Sequence, residues 1–204
     1  MLEASGLACE RGGRALFRNL SFALQPGELL RVAGANGSGK TSLLKILCGL
    51  LHPDSGEVRW QGAPIRQLRE DYSRELVYLG HAPAVKDDLS AAENLTVTCT
   101  LAGRKASPQQ AREALESYGL AADAVAVRRL SQGQRRRAAL ARLLLSADAP
   151  LWLLDEPFAA LDTAAARFTE ELIANHVAQG GAAIYTTHQD ANIGAAVLRV
   201  VELG

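Results

Sequence analysis

Residues 34–41 read Gly34-Ala35-Asn36-Gly37-Ser38-Gly39-Lys40-Thr41. This octapeptide matches G-x-x-x-x-G-K-[ST], the pattern of a phosphate-binding loop. A largely apolar run precedes it at 29–33, and leucines at helical spacing follow it, at positions 43, 44, 47 and 50. We therefore predict a strand, a phosphate-binding loop and a helix in succession. The alternative is a glycine-rich turn that carries a lysine by chance. Such a turn would not need a strand before it and a helix after it.

The residue types in the loop suit a chain of phosphates. Glycine at 34, 37 and 39 allows backbone conformations in which successive N–H groups point at an anion, and the following helix adds its positive end. Lys40 is predicted to neutralise the outer phosphates, and the Thr41 hydroxyl to hold Mg²⁺. The loop thus predicts a nucleotide site, without indicating what the nucleotide is used for.

Composition limits the class of protein. The 204 residues, 48% of them hydrophobic, suit one sizeable domain over 1–204. Because 22 basic and 22 acidic residues give a formal charge of +0, we expect no nucleic acid partner. Cys9, Cys48 and Cys99 are odd in number and widely spaced, which favours free thiols in a reducing compartment. The N-terminus has no signal-peptide core, and the most apolar long stretch, 138–154, falls short of a membrane span, so we expect the chain to be soluble by itself.

Periodicity predicts an α/β fold with an antiparallel β part at the N-terminus. Strands are expected at 2–9, 17–24, 57–60, 76–79, 151–154, 182–186 and 197–201, besides the one that feeds the loop. From Ser90 to Ala147 the pattern becomes helical, with helices expected at 94–101, 108–118 and 132–145. We interpret this segment, about 90–147, as a helical subdomain inserted in the α/β core.

Polar side chains follow two of the buried strands. Asp155 and Glu156 come directly after the strand at 151–154, and His188 follows the strand at 182–186. Parallel strands place such residues around a ligand crevice. In a phosphate-loop ATPase an aspartate there holds Mg²⁺, usually through water, and an adjacent glutamate polarises the attacking water. We predict catalytic roles for Glu156 and for His188, which can hydrogen-bond the γ-phosphate or that water; solvated carboxylates and a structural histidine are the alternatives.

A second phosphate-binding surface is indicated by the run Leu130-Ser131-Gln132-Gly133-Gln134. Ser131 is a good N-cap, Gly133 permits close backbone approach, and the next helix points its positive end outward. Two distant helix starts of one compact fold do not reach the same γ-phosphate, so a second copy of the chain is expected to supply one of them. Residues 135–137, three arginines, are expected to form a solvated helix face, with support of the phosphate field or a subunit contact as the lesser alternative.

Five stretches resemble the motifs of ATP-binding cassette (ABC) ATPases, in family order and spacing. Residues 34–41 resemble Walker A, 130–134 the signature and 151–156 Walker B, while Ala160-Leu161-Asp162 resembles the D-loop and Thr187-His188 the switch histidine. The resemblance covers essentially the whole chain. It implies a P-loop NTPase with a RecA-like mixed-sheet core and a helical signature subdomain whose groove receives a membrane partner. Each ATP is then held by residues 34–42 of one subunit, Ser42 included, and by Ser131, Gln132, Gly133 and Gln134 of the other, with Asp162 linking the two sites.

Two positions depart from the family pattern. His81 stands where the family usually has a glutamine, and an imidazole there is a candidate catalytic residue or ligand near the Mg²⁺ site that would give the site a pH dependence. The family commonly stacks an aromatic residue on adenine near the N-terminus. This chain offers Arg11, which can stack on a base, or Phe17 as the substitute.

A narrower resemblance is to the ATP-binding subunits of cytochrome c maturation transporters. Its residues are Met1-Leu2-Glu3-Ala4, Cys9-Glu10-Arg11, Leu79-Gly80-His81, Trp152 and Thr186-Thr187-His188-Gln189. It implies a homodimer on the cytoplasmic face of the bacterial inner membrane, bound to integral membrane subunits, whose ATP hydrolysis drives haem export or release of haem from a periplasmic chaperone. The transported species is not identified by these residues. The alternatives are a soluble ABC-type ATPase acting on ribosomes or DNA, and a nucleotide-gated interaction module that barely hydrolyses ATP.

Overall fold

A computed structural model describes residues 1–120, 125–188, 191–195 and 198–204. The strands are β1 (Leu2–Arg11), β2 (Arg14–Leu24), β3 (Leu29–Gly34), β4 (Ser55–Trp60), β5 (Ala63–Pro64), β6 (Leu76–Leu79), β7 (Leu151–Leu154), β8 (Ala182–Thr186) and β9 (Leu198–Leu203). The α-helices are α1 (Lys40–Leu47), α2 (Ile65–Leu68), α3 (Glu70–Arg74), α4 (Ala91–Leu101), α5 (Pro108–Ser117), α6 (Gln132–Leu140) and α7 (Thr163–Ala178). This succession confirms the predicted α/β class.

Five strands form a sheet in the order β6-β7-β8-β3-β9. Every neighbouring pair in it is parallel. The carboxyl ends of β3, β7 and β8 therefore lie at the same edge of the sheet, and the chain leaves them at the phosphate loop, at Asp155 and at Thr187. This edge gathers the residues of the candidate site.

The N-terminal strands form a separate antiparallel sheet in the order β2-β1-β4-β5. Strands β1 and β2 are longer than the predicted 2–9 and 17–24, since the hairpin between them needs only Gly12 and Gly13 to turn. Both glycines have positive φ, 59° and 74°, which lets the strands continue to Arg11 and from Arg14.

The parallel sheet separates two hydrophobic clusters. In β7, Trp152 and Leu154 face one cluster together with residues of α4 to α7, whereas Leu151 and Leu153 face the other, with α1 and the antiparallel sheet. All four side chains are buried, so β7 is covered on both faces, as the continuous apolar run predicted. Residues that follow such a strand are held by the interior of the protein.

Three helices of the segment 90–147 begin at serines whose side chains cap the helix. Ser90, Ser107 and Ser131 each accept a hydrogen bond from the backbone N–H three residues on, and the glutamate or glutamine there caps in return. The prediction of one helix over 132–145 is wrong in its second half, because α6 ends at Leu140 and a 3-10 helix covers Ala141–Ser146. Apolar spacing over so few residues does not distinguish 3.6 from 3.0 residues per turn. Residues 121–124 lie outside the described part.

Other boundaries differ from the predictions as well: α4 begins at Ala91 rather than 94, β4 begins at Ser55 rather than 57, and α5 ends at Ser117 rather than 118. Helix α1 ends at Leu47 because Gly49, with φ 79°, turns the chain, so Leu50 belongs to no helix face and its side chain is exposed. The last strand is described from Leu198 to Leu203, beyond its predicted end at 201; its predicted start, Val197, lies outside the described residues and stays a prediction. All three cysteines are free, as predicted. Within the described ranges, no helix has the length and apolarity needed to cross a membrane.

Candidate nucleotide site

The phosphate loop joins the end of β3 to the start of α1, and close packing requires glycine at two of its positions, 34 and 39. A Cβ on Gly34 would lie 2.5 Å from the Leu203 carbonyl oxygen and 2.6 Å from Ser38 Oγ. Gly39 has φ 104°, and a Cβ there would lie 2.9 Å from Cβ of Leu16. Any other residue at either position would push the loop away from its neighbours.

Lys40 begins helix α1 and its side chain is only 7% exposed. Nζ donates hydrogen bonds to the carbonyl oxygens of Gly34, at 2.7 Å, and Ala35, at 3.0 Å, so the ammonium group sits across the loop. Among the described residues, no side chain caps the N-terminus of α1. Its first N–H groups and the ammonium group are therefore available to an anion at the loop.

Asp155 joins the phosphate loop to the end of β8. Its Oδ2 accepts a hydrogen bond from the Thr41 hydroxyl at 2.8 Å, and its Oδ1 accepts one from the Thr186 hydroxyl at 2.8 Å. Asp155 is 1% exposed and Thr186 is fully buried. A buried carboxylate with a donor on each oxygen is held in one orientation, facing the Thr41 hydroxyl. Thr186 was not among the predicted site residues.

Glu156 adopts a left-handed backbone conformation, with φ 51°. Its N–H donates to the Thr186 hydroxyl at 2.9 Å, and its Oε2 accepts from the His188 backbone N–H at 3.2 Å. The other oxygen, Oε1, lies 3.3 Å from Nε2 of His188 but accepts no hydrogen bond from a described residue. The structure thus brings together the two side chains for which catalytic roles were predicted, and the buried Oε1 is an acceptor without a donor among the described residues.

A cavity of about 700 Å³ contains these groups. It is lined by Arg11, Leu16, Asn36, Gly37, Gly39, Lys40, Thr41, Ser42, His81, Asp155, Glu156, Ala159 and His188. The three residues predicted to be catalytic, His81, Glu156 and His188, all line this cavity. Of the two candidates for the adenine contact, Arg11 lines the cavity, whereas Phe17 is buried in the core beside Gly39.

The predicted signature residues lie at the start of α6. Ser131 Oγ accepts from the Gln134 N–H at 3.2 Å, and Gln134 Oε1 accepts from the Ser131 N–H at 2.8 Å. Ser131 and Gln132 are exposed, and none of residues 131–134 is among the described residues that line the cavity. Within one chain the two predicted phosphate-binding surfaces are separate.

The start of α6 packs closely on the turn that precedes α7. A Cβ on Gly133 would lie 2.8 Å from the Ala160 carbonyl oxygen, so only glycine fits there. Asp162 caps α7 by accepting from the Ala165 N–H at 2.8 Å, and its other oxygen lies 3.9 Å from Nη1 of Arg137. Its side chain remains mostly exposed.

The prediction of a solvated face for 135–137 is wrong for Arg136. This side chain is 3% exposed and donates hydrogen bonds to the carbonyl oxygens of Gly80, Asp155 and Glu156. Burial lowers the pKa of Arg136, and the nearby carboxylates oppose that change. A run of three arginines on a short helix is usually solvated, and only the position of the three carbonyl groups shows that one of them is not.

The donor set at the phosphate loop fits Mg²⁺. Thr41 Oγ1 and Asp155 Oδ2 are neighbouring oxygen ligands, and Mg²⁺ is usually bound by one or two such protein oxygens together with phosphates and water. No group of three or more His, Cys, Asp or Glu side chains in the described ranges is arranged to hold a metal ion by itself.

Comparisons with known proteins identify the family of this chain. A family model described as ABC transporter matches residues 17–159. The cytochrome c biogenesis ATP-binding export protein CcmA of Aromatoleum aromaticum is 53% identical over 192 residues, 94% of this chain and 90% of the relative. The protein of that name from Dechloromonas aromatica is 49% identical over 205 residues, 100% of both chains.

Solved structures give the same family. A putative ABC transporter ATP-binding protein from Pyrococcus furiosus superposes with a TM-score of 0.83 at 26% identity, covering 99% of this chain and 96% of its own. A dimeric bacterial ABC transporter cassette reaches a TM-score of 0.85 at 23% identity, covering 100% of this chain and 95% of its own, which supports the fold alone. The chain therefore binds ATP as a member of the ABC transporter family of ATPases, in the group of the cytochrome c biogenesis ATP-binding export proteins CcmA.

Proposed function

We propose that this chain is the ATP-hydrolysing motor subunit of a cytochrome c biogenesis export complex. One observation carries the proposal: Glu156 and His188 line the same cavity as the phosphate loop, next to Asp155, in a chain about half identical to CcmA proteins. A module that only binds nucleotide has no need of a glutamate and a histidine side by side at that position.

Lys40 and the first N–H groups of α1 bind the β- and γ-phosphates of ATP in this proposal, together with residues 34–42 of the loop. Thr41 and Asp155 hold Mg²⁺, Asp155 through water. When bound, Mg²⁺ neutralises part of the charge on the phosphate oxygens. Arg11 is the proposed adenine contact, because its guanidinium lies in the cavity and can stack on a base.

Glu156 polarises the water that attacks the γ-phosphate. Its Oε1 is buried and accepts no hydrogen bond from the described residues, which leaves this oxygen as an acceptor for a water that enters the site with the nucleotide. His188 lies 3.3 Å away and donates a hydrogen bond to the γ-phosphate or to the same water. We assign His81 a supporting contact at the Mg²⁺ end of the cavity, which it lines.

A second copy of the chain completes the site. The start of α6, with Ser131, Gln132, Gly133 and Gln134, lies outside the described lining of its own cavity, and Ser131 and Gln132 are exposed, which is the arrangement expected of a surface used by a partner. Asp162 lies beside this surface and links it to the residues that follow Glu156. In a two-fold dimer each loop then faces the α6 start of the other copy.

Integral membrane subunits are the proposed partners of the helical part, on the cytoplasmic face of a bacterial inner membrane. Helix α4 exposes Val97 and Leu101, the latter to 83%. Exposed apolar side chains spaced four residues apart on one helix suit a protein contact. The loop after His81 is tied to α4, because the Lys86 N–H donates to Asn94 Oδ1 at 2.7 Å.

Haem, or haem held by a periplasmic chaperone, is the proposed cargo, as the narrower resemblance implied. The alternative of a soluble ABC-type ATPase acting on ribosomes or DNA has less support, since the CcmA relatives match over nearly the whole chain and the formal charge is +0.

Purification of the tagged protein from detergent-solubilised membranes tests this function. We expect small integral membrane subunits to copurify and the complex to hydrolyse ATP. A Leu101→Asp variant should lose these subunits and still bind ATP, whereas Leu198→Asp, on an exposed residue of β9, should retain them. Copurification of ribosomes or a DNA-repair complex in place of membrane subunits would contradict the proposal.

A further inference from the structure

Arg136 connects three segments that the proposed mechanism uses. Nη2 donates to the Asp155 carbonyl oxygen at 2.8 Å and to the Glu156 carbonyl oxygen at 2.6 Å, while Nη1 donates to the Gly80 carbonyl oxygen at 2.9 Å. The His81 carbonyl oxygen lies 3.5 Å from Nη1. One buried guanidinium on α6 therefore holds the main chain at the proposed base and at the loop that carries His81.

The main chain at Glu156 needs such a support. Its φ of 51° is uncommon for a residue with a side chain and is an unfavourable backbone conformation. Such a conformation persists when its surroundings fix it on several sides. Thr186 accepts from the Glu156 N–H on one side, and Arg136 donates to the Glu156 carbonyl on the other.

We propose that Arg136 is a positioning residue for ATP hydrolysis, which fixes the Glu156 side chain against His188 and joins the movement of the α6 start to that of the Glu156 and His81 segments. This inference rests on the proposed function. Arg136 faces the backbone of these segments and touches no substrate. Helix α6 begins at the residues proposed to contact the partner's ATP. A movement of this helix start on docking to a nucleotide would therefore be transmitted to Glu156 of the same chain.

The contact of Gly133 with Ala160 adds a second connection between the same elements. With the Ala160 carbonyl oxygen 2.8 Å from where a Cβ would lie, the backbone at the start of α6 packs directly on the turn after Glu156. Ala160 also has a positive φ, of 60°. Arg136 and Gly133 together make α6 and the turn at 156–160 one mechanical unit.

Arg136→Gln tests the inference, and Arg142→Gln is the matched control. Arg142 is also a largely buried arginine that donates to a main-chain carbonyl, that of Tyr78 at 2.8 Å, but it does not contact Asp155 or Glu156. Purified full-length variants would be compared by steady-state ATPase kinetics and by hydrogen exchange of peptides that cover 80–84 and 155–160.

We expect Arg136→Gln to lower kcat about tenfold or more with KM for ATP within about threefold, and to speed exchange in both peptides. Arg136→Lys keeps the charge but not the planar fork, so its kcat and exchange rates should lie between those of the parent and of the glutamine variant. It replaces the glutamine variant in both assays if that variant does not fold. Arg142→Gln should keep the parental kcat.

Parental exchange rates in Arg136→Gln at both segments would overturn the inference, as would equal acceleration of those two segments in Arg142→Gln. If the parent hydrolyses no ATP, the proposed function fails, and the exchange data still decide whether Arg136 holds these segments.

Discussion

Thr186→Val removes one hydroxyl group that makes two hydrogen bonds at the centre of the site. The Thr186 hydroxyl donates to Asp155 Oδ1 and accepts from the Glu156 N–H. Valine has nearly the same shape, so the change leaves no cavity, but it leaves a buried carboxylate oxygen without its donor and an N–H without its acceptor. Loss of a bond to a charged group costs about 1.5–3 kcal/mol and loss of a neutral one about 1 kcal/mol, so we expect a decrease of about 3 kcal/mol in the free energy of unfolding.

Thermal melting and ATPase assays measure the two consequences. For a chain of this length, about 3 kcal/mol corresponds to a decrease in Tm of about 6–12 °C. Because Asp155 and the Glu156 backbone both lose their fixed positions, kcat should fall about tenfold or more. Thr169→Val is the control: Thr169 is equally buried and bonds the Ala165 carbonyl and Tyr118, so it should lower Tm without lowering kcat.

Unchanged stability and activity of Thr186→Val would contradict the role given to this hydroxyl. If Thr186→Val melts within about 2 °C of the parent and hydrolyses ATP at the parental rate, the hydroxyl does not hold the carboxylate and the Glu156 N–H in the way described. A large loss of Tm with full kcat would mean that the network stabilises the fold without orienting Glu156.

Three other changes give distinct outcomes. Lys40→Ala should weaken ATP binding about 10- to 100-fold, since the phosphates lose a charged donor, while Lys45→Ala, on the exposed side of the same helix, should not; calorimetry measures both. Arg11→Ala should raise KM for ATP about 3- to 10-fold with kcat unchanged, and an unaltered KM would exclude the adenine contact. Burial lowers the pKa of His176, which stacks on Trp152 at 3.8 Å, to about 4. Between pH 6.5 and 4 the unfolded chain binds a proton that the folded chain does not, so the free energy of unfolding should decrease by about 2 kcal/mol from pH 7 to pH 5, and His176→Phe should remove this decrease in denaturant titrations.

The elements around the phosphate loop could be predicted from sequence because their signals are local. The strand at 151–154 is apolar at every position, and its predicted bounds are those observed. Since parallel strands end at a common edge, Asp155, Glu156 and His188 could be assigned to one crevice before their distances were known. The fold class followed from the same alternation of strands and helices.

Arg136 and Thr186 could not be found in this way, because their environments depend on contacts distant in sequence. Arg136 belongs to a run of three arginines, and its burial is caused by carbonyl groups 19 to 56 residues away. Thr186 ends a strand like many threonines do, and its importance lies in the carboxylate 31 residues earlier in the chain. Leu50 was misplaced for a local reason, since Gly49 can either continue or end a helix and here ends it.

The central claim is that the cavity of one chain is half of an ATPase site, completed by the α6 start of a second copy. Light scattering of Glu156→Gln with Mg²⁺-ATP, alongside a measurement of bound nucleotide, tests it most directly, because this variant should bind ATP without turning it over. We predict that ATP raises the mass of the particle from 21.7 kDa to twice that value, and that Ser131→Arg in the same background prevents this increase. A particle that saturates with ATP and keeps the mass of one chain would contradict the claim.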